Sequence, residues 1–201
     1  MTGNRWIEKL AEEPGHSDWY VERFRSLAAR GVDLHGEARL IDAMVPRGAR
    51  VLDAGCGPGR VGGRLATLGH EVIGIDLDPV LIAAANDDHR GPIWLVGDLS
   101  DFDFAAAGVE PGFDAVVCAG NVMGFLDPTT RRAVLARLRA VLNEPGRIVV
   151  GFGSGGDYPF DDFFRDIAEV GLTAELQFST WDLRPFTAES DFLVAVLAPA
   201  S

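Results

Sequence analysis

Lysine is all but missing from this chain of 201 residues: Lys9 stands alone, and arginine carries the remaining basic side-chain charge. That skew reads as genome composition rather than function. Cysteine is nearly as scarce. Cys56 and Cys118 are the only two, too few for a disulfide framework, and no Cys/His cluster has zinc spacing. No structural zinc is expected. No apolar run approaches the roughly 18 residues of a membrane-spanning helix. The segment Met1–Glu13 mixes Arg5, Glu8, Lys9, Glu12 and Glu13 with few apolar residues and lacks the apolar stretch of a secretory signal. These absences predict a cytoplasmic protein with no membrane partner. Positive charge is in deficit overall, with a formal net charge of −12. Such a surface repels phosphate backbones, so no nucleic-acid partner is expected.

What is present is a core. Hydrophobic residues make up 47% of the chain, enough for one substantial interior and a single folding unit. Residues 1–48 read as a helical segment. Ser17 is placed to cap a helix in which Tyr20, Phe24 and Leu27 share a face and which Gly31 ends. A second helix is predicted from about Gly36 to Val45, burying Leu40, Ile41 and Met44, until Pro46 and Gly48 break the pattern. Residues 49–201 alternate short apolar runs with amphipathic ones. Strands are predicted at Arg50–Ala54, Glu71–Ile75, Ile93–Val96, Phe113–Ala119 and Arg147–Phe152. Helices are predicted after Gly59 and over Pro79–Asn86, Thr130–Leu142 and Phe163–Val170. Within Thr130–Leu142, Val134, Leu138 and Val141 point inward, and the arginines at 131, 132, 137 and 139 make a solvated face. Two strands, Thr173–Ser179 and Phe192–Leu197, close the chain with no helix between them. Strands alternating with helices predict an α/β fold. A single doubly wound sheet is covered on both faces through right-handed crossovers, and the closing pair forms a hairpin at one edge.

One motif stands where the first strand meets its helix: Val51-Leu52-Asp53-Ala54-Gly55-Cys56-Gly57-Pro58-Gly59-Arg60. Glycines there let the backbone turn sharply and let a ligand approach closely. In doubly wound sheets that point lies near the reversal of strand order, where ligands bind. Acids recur at the following strand ends, Asp76 in Gly74-Ile75-Asp76-Leu77-Asp78-Pro79 and Asp98 in Gly97-Asp98-Leu99. Asp76 has the spacing of a carboxylate that accepts both hydroxyls of an adenosine ribose. Asp98 can accept from an adenine amine, with Leu77 or Leu99 against the ring. A dinucleotide site is the competing assignment, and three features weigh against it. Its G-x-G-x-x-G fingerprint needs glycine where Arg60 stands. Asp53 would repel a pyrophosphate but attract a ligand carrying an ammonium and a sulfonium. The closing strand pair is not the usual second half of a dinucleotide fold.

The run V-L-D-A-G-C-G-P-G-R, the acid at Asp76, the G-D-L at 97–99 and the F-D-A-V-V at 113–117 resemble class I S-adenosylmethionine-dependent methyltransferases of the small bacterial type. The resemblance extends from about Arg50 to the C-terminus. It implies a Rossmann-like sheet of seven strands in the order 3-2-1-4-5-7-6, with strand seven antiparallel. It also implies S-adenosyl-L-methionine as cofactor and S-adenosyl-L-homocysteine as product. On matching positions, Asp53, Gly55, Gly57 and Gly59 would surround the methionine part, Asp76 would hold the ribose, and Asp98 with Leu77 and Leu99 would meet the adenine. Ala119 and its neighbours would offer carbonyls to the ammonium, and Arg39 a partner for the carboxylate. The helical segment 1–48 would be a lid or substrate cap over the domain 49–201.

Each of these residues has a plainer alternative. Asp53 can stabilise the turn, Asp76 can cap the next helix unless Asp78 does so, and Asp98 can be solvated beside Asp101 and Asp103. Cys56 reads as a small filler, Cys118 and His70 as structural, and His89 as solvated. Methyl transfer from a sulfonium is an in-line displacement that demands alignment and exclusion of water rather than a fixed triad. No catalytic residue is therefore assigned. The Asn-Pro-Pro-Tyr motif of adenine and glutamine methyltransferases is absent after strand four, and so is an acidic magnesium cluster. The expected acceptor is a small organic molecule methylated on oxygen or nitrogen. Candidate substrate contacts are Tyr20 of the first aromatic face, His35, Asn121, Tyr158 of the glycine-rich loop 153–159, and Trp181 with Arg184 between the last strands. For Asn121 the alternative is a chain turn, for Trp181 packing on the sheet edge, and for Arg184 a pair with Asp182. A dinucleotide-binding oxidoreductase and a non-catalytic cofactor-binding module remain the competing functions.

Overall fold

The computed structural model describes residues 3–200. Three helices come first: α1 (Arg5–Glu12), α2 (His16–Ala29) and α3 (Gly36–Met44). The sheet and its crossovers follow as β1 (Arg50–Ala54), α4 (Arg60–Thr67), β2 (Glu71–Asp76), α5 (Pro79–Asp88), β3 (Ile93–Val96), β4 (Phe113–Cys118), a short α6 (Val122–Phe125) and α7 (Arg131–Ala140). The chain closes with β5 (Leu142–Gly153), α8 (Phe160–Glu169), β6 (Leu172–Phe178) and β7 (Phe192–Pro199). The seven strands lie in the order β3-β2-β1-β4-β5-β7-β6. The first five pair in parallel, and β7 runs antiparallel between β5 and β6. The predicted fold is therefore the observed one. The closing hairpin inserts its second strand next to β5 and leaves β6 at the edge.

The period-two alternation of the strands divides the interior into two layers. Leu52, Ile73, Val116 and Ile148 face Val134, Leu135 and Leu138 of α7 and Phe163 and Ile167 of α8. Their neighbours Val51, Val72, Ala115, Val117 and Val149 face Ile41 of α3 and Val61 and Leu65 of α4. Central strands buried on both sides read as continuous apolar runs, which is why β1 and β4 were legible. Each fully buried aliphatic side chain contributes about 1.5–3 kcal/mol. No helix among the described residues is long and apolar enough to cross a membrane.

Two details of the helices differ from expectation. Ser17 does not cap α2. Gly15, in the left-handed conformation at φ 92°, precedes the helix, and the buried Ser17 hydroxyl donates to Asp78 Oδ2. A hydroxyl donating to a carboxylate makes a stronger bond than one accepting from a helix amide. The arginine face of α7 is also not uniformly solvated. Arg131 is buried, its guanidinium 4.0 Å from the Tyr158 ring centre, whereas Arg132 reaches Asp166 and Glu169 at the surface. Its position at the first turn of the helix turns the side chain under the loop that carries Tyr158.

Asp78 pins the N-terminal helices to the sheet. Its Oδ1 accepts from Val80 N at 2.8 Å and caps α5, while Oδ2 accepts from the Trp6 indole N–H at 2.9 Å and from Ser17. Asn4 caps α1 by accepting from Trp6 N at 3.0 Å. Trp6→Phe, which keeps an aromatic ring but deletes the indole donor, is expected to lower unfolding stability by about 1.5 kcal/mol. Urea denaturation would read this, and an unchanged midpoint would refute it.

Candidate functional site

The strand order reverses between β1 and β4, and the loops leaving their C-terminal ends open a cleft there. The glycine turn after β1 hangs on β2: Gly55 N and Cys56 N both donate to Ile75 O, at 2.8 and 3.0 Å. Gly55 has a φ of 76°, and a Cβ there would lie 2.3 Å from Val122 Cγ2. Only glycine fits that conformation and that contact. Gly59 ends the turn as the left-handed N-cap of α4, where a Cβ would strike Ala85 and Trp94 at 2.9 Å.

Three carboxylates stand at successive strand ends. Asp53 is buried and accepts from Gly62 N at 2.8 Å. Burial pushes its pKa up to about 7. Asp76 accepts from Gly57 N at 2.8 Å and from Asp78 N at 2.9 Å, and burial raises its pKa to about 6. Asp98 accepts from Ser100 N at 2.8 Å. These three line one cavity of about 870 Å³, its mouth included, together with Gly55, Gly57, Leu77, Leu99, Ala119 and Tyr20.

The far wall of the cavity comes from the N-terminal helices. Tyr20 projects from α2 across the glycine turn: a Cβ at Gly57 would lie 3.8 Å from its ring, and one at Gly120 would lie 4.0 Å from its hydroxyl. Burial raises the Tyr20 pKa, so the phenol stays protonated at neutral pH and can donate a hydrogen bond. Trp6, Phe24 and Phe125 surround it, with Trp6 edge-on to Tyr20 at 5.4 Å and to Phe125 at 5.7 Å. Among the described residues, Arg60 is the one cationic side chain on the lining. It grips Glu37 of α3 through two bonds, at 2.8 and 2.5 Å. Burial pushes the Glu37 carboxyl up, but the bonds from Arg60 outweigh it and hold its pKa below the usual value.

Several residues singled out in the sequence lie outside this cavity. Gly59 packs helix against strand, as described. Arg39 lies on the exposed side of α3 and pairs with Asp33 at 2.8 Å. His35 faces a second cavity on the other side of α2. Asn121, at φ 65°, uses its side-chain oxygen to accept from Gly153 N at 2.8 Å, tying the end of β4 to β5. Tyr158 is buried under Arg131 and donates to Asp166 at 2.7 Å, which leaves no surface for a ligand. Trp181 packs on Gly151, where a Cβ would meet its ring at 2.2 Å. Arg184 is exposed, 3.5 Å from Asp182.

Of the aromatic face expected over the pocket, Tyr20 and Phe24 reach the lining and Trp19 is left exposed, while sequence reasoning missed Trp6, Phe125 and Arg60. Arg60 was visible only as the residue that breaks a dinucleotide fingerprint. The aromatics carry no motif, because their position depends on how α1 and α2 fold back over the sheet. Among the described residues, no three His, Cys, Asp or Glu side chains are grouped to hold a metal ion.

A doubly wound sheet with an antiparallel seventh strand, carrying an acid at or near each of three consecutive strand ends, defines a Rossmann-like α/β protein with an acidic cleft at its switch point. Known proteins narrow the class. Residues 51–146 match the family model described as a methyltransferase domain. The crystal structure of a TehB-like SAM-dependent methyltransferase from Corynebacterium glutamicum is 51% identical and superposes with a TM-score of 0.88, over 93% of this chain and 100% of that one. An uncharacterised methyltransferase of Mycobacterium bovis is 37% identical over 121 residues, 59% of this chain and 57% of the relative. The ubiquinone biosynthesis O-methyltransferase of Xanthomonas oryzae is 31% identical over 131 residues, 59% of this chain and 55% of the relative. The matched region thus spans just over half the length of these curated relatives. The chain belongs to the class I S-adenosylmethionine-dependent methyltransferases.

Proposed function

We propose that this protein binds S-adenosyl-L-methionine in the cavity at the ends of β1, β2 and β3. It transfers the methyl group to an oxygen or nitrogen of a small organic acceptor and releases S-adenosyl-L-homocysteine. The observation that carries this proposal is the convergence of Asp53, Asp76 and Asp98 on one cavity whose remaining walls, Asn4 and Arg60 apart, are glycines and apolar or aromatic side chains. The lining suits the cofactor along its length. Leu77 and Leu99 offer flat apolar contact to an adenine and Asp98 a carboxylate acceptor for its amine. Asp76 faces where a ribose diol would lie. Asp53, the glycine turn and the carbonyl of Ala119 suit the cationic methionine end. Arg60 takes the place foreseen for Arg39 as partner of the cofactor carboxylate, because it lines the cavity and Arg39 does not.

The bound cofactor supplies an activated methyl group on a sulfonium. The chain has to orient that methyl and keep water away. The aromatic wall of Trp6, Tyr20 and Phe24 serves as the lid that excludes water. Tyr20, protonated at neutral pH, orients a polar group by donating to it and is not the base. The O-methyltransferase among the relatives favours oxygen as the acceptor atom.

Isothermal titration calorimetry tests the first step. S-adenosylhomocysteine is expected to bind at micromolar concentration and NADH not at all; the reverse would make this a dinucleotide protein. Turnover is tested by homocysteine release from S-adenosylhomocysteine formed with a panel of phenols, carboxylic acids and amines. Binding without transfer to any of them would favour a non-catalytic module.

A further inference from the structure

A second cavity lies on the outer side of the glycine turn, between α2, α4 and the end of α5. It has about 1100 Å³ of empty space, its mouth included. Its charge is opposite to that of the molecule. Arg25, Arg60, Arg64, His35 and His89 line it, with Asp88 as the one acid, in a chain of net charge −12. Two of the three arginines are already paired. Arg25 makes two bonds to Asp88, at 2.9 and 3.0 Å, and Arg60 is held by Glu37. Arg64 is not paired. Among the described residues it makes no ion pair. Its Nε is shielded from solvent without a partner, and its one side-chain bond is a long 3.3 Å contact from Nη1 to the Thr67 hydroxyl. Arg64 is only half-buried, but its guanidinium keeps donors free for an anion in the cavity.

His89 was expected in solvent but sits half-buried, its ring against Gly63 of α4 where a Cβ would lie 2.4 Å away. It adds a polar ring to the same wall. The opposite wall is apolar, with Phe24, Leu34 and Pro58. The Thr67 hydroxyl donates to Arg64 O at 2.7 Å, so the free donors are the unpaired guanidinium and the imidazoles, arriving from α4, the α5 end and the α2–α3 loop, and they suit an oxyanion with several acceptor oxygens. We propose that this groove is a second ligand site, which binds the phosphate group of a small molecule through Arg64 and packs the organic part on Phe24 and Leu34. It shares Phe24, Pro58 and Arg60 with the first cavity, so its occupant touches the outer side of the same turn that lines the proposed cofactor site.

The test is a titration of the full chain with inorganic phosphate and with phenyl phosphate, followed by 31P NMR at constant ionic strength in chloride. Saturable binding is expected, weakened about fivefold or more in Arg64→Gln, where one charge-assisted contact is lost. It should be retained in Asp98→Ala, whose side chain lines the first cavity and accepts from Ser100 N rather than from the glycine turn, so failure of the cofactor assignment would leave this result intact. Tighter binding of phenyl phosphate than of phosphate marks a phosphorylated metabolite as the occupant, and equal binding marks free phosphate. An identical response in Arg64→Gln and the parent chain, or no saturation beyond the chloride control, overturns the site. Arg64→Lys, which keeps the charge but not the fork, should recover part of the affinity.

Discussion

Asp76→Ala is expected to weaken S-adenosylhomocysteine binding by about 100-fold in calorimetry, equivalent to about 2.7 kcal/mol. Hydrogen bonds to a charged group are worth about 1.5–3 kcal/mol each, and a ribose diol would make two to this carboxylate. Asp76 also accepts from Gly57 N and Asp78 N. The substitution therefore loosens the glycine turn as well, and both effects act in the same direction. Asp76→Asn keeps the volume and one acceptor oxygen, so it should lose less, on the order of tenfold. A folded Asp76→Ala protein, with parental circular dichroism and unchanged affinity, would show that the cofactor does not lie across the β2 end.

The second large effect is on pH. Burial raises Asp53 to about 7 and Asp76 to about 6, from an ordinary value of 3.8. Between roughly pH 4 and 7 the folded, ligand-free protein therefore holds protons that the unfolded chain has released. Its stability declines as pH rises through that window. Ligand binding has the opposite preference. A cationic methionine end beside Asp53 and a donating diol beside Asp76 both favour the charged carboxylates. Cofactor affinity is therefore expected to rise with pH, by about tenfold from pH 5 to pH 7 for Asp76 alone. Binding at pH 6 should release protons, visible as a heat that differs between buffers of different ionisation enthalpy. A flat affinity profile from pH 5 to 8, with no buffer dependence, would contradict the proposed placement of both acids.

Much of the scaffold was legible because each strand declares itself within a few residues. Val51-Leu52, Val116-Val117 and Val149-Val150 are continuous apolar pairs, as strands buried on both faces must be. The sequence offers Asp76 and Asp78 as caps of α5, and the bond from Val80 N to Asp78 decides for the second. Local chemistry of that kind needs no knowledge of the rest of the chain. Ser17 failed for the complementary reason. Its local pattern suggested a cap, but a carboxylate 61 residues away took its hydroxyl. Arg131 failed likewise, since a helical position that looks outward by periodicity was covered by the Tyr158 loop.

The site divides along the same line. The sequence by itself determined the acids and glycines at Asp53, Gly55, Gly57, Asp76 and Asp98, because in a doubly wound sheet every strand delivers its C-terminal residue to one edge. The alternation of strands and helices was likewise legible at short range, whereas the strand order came from the resemblance of the motifs to a known family and is the order observed. Only the tertiary structure decided which side chains complete the cavity. It brought Trp6, Tyr20 and Phe24 over the glycine turn, replaced Arg39 with Arg60 on the lining, and removed Tyr158, Trp181 and Arg184 to packing or solvent. The physical reason is separation in sequence. The N-terminal helices reach the cavity through contacts such as Trp6 and Ser17 on Asp78, made across 72 and 61 residues. No local periodicity records where such a helix comes to rest.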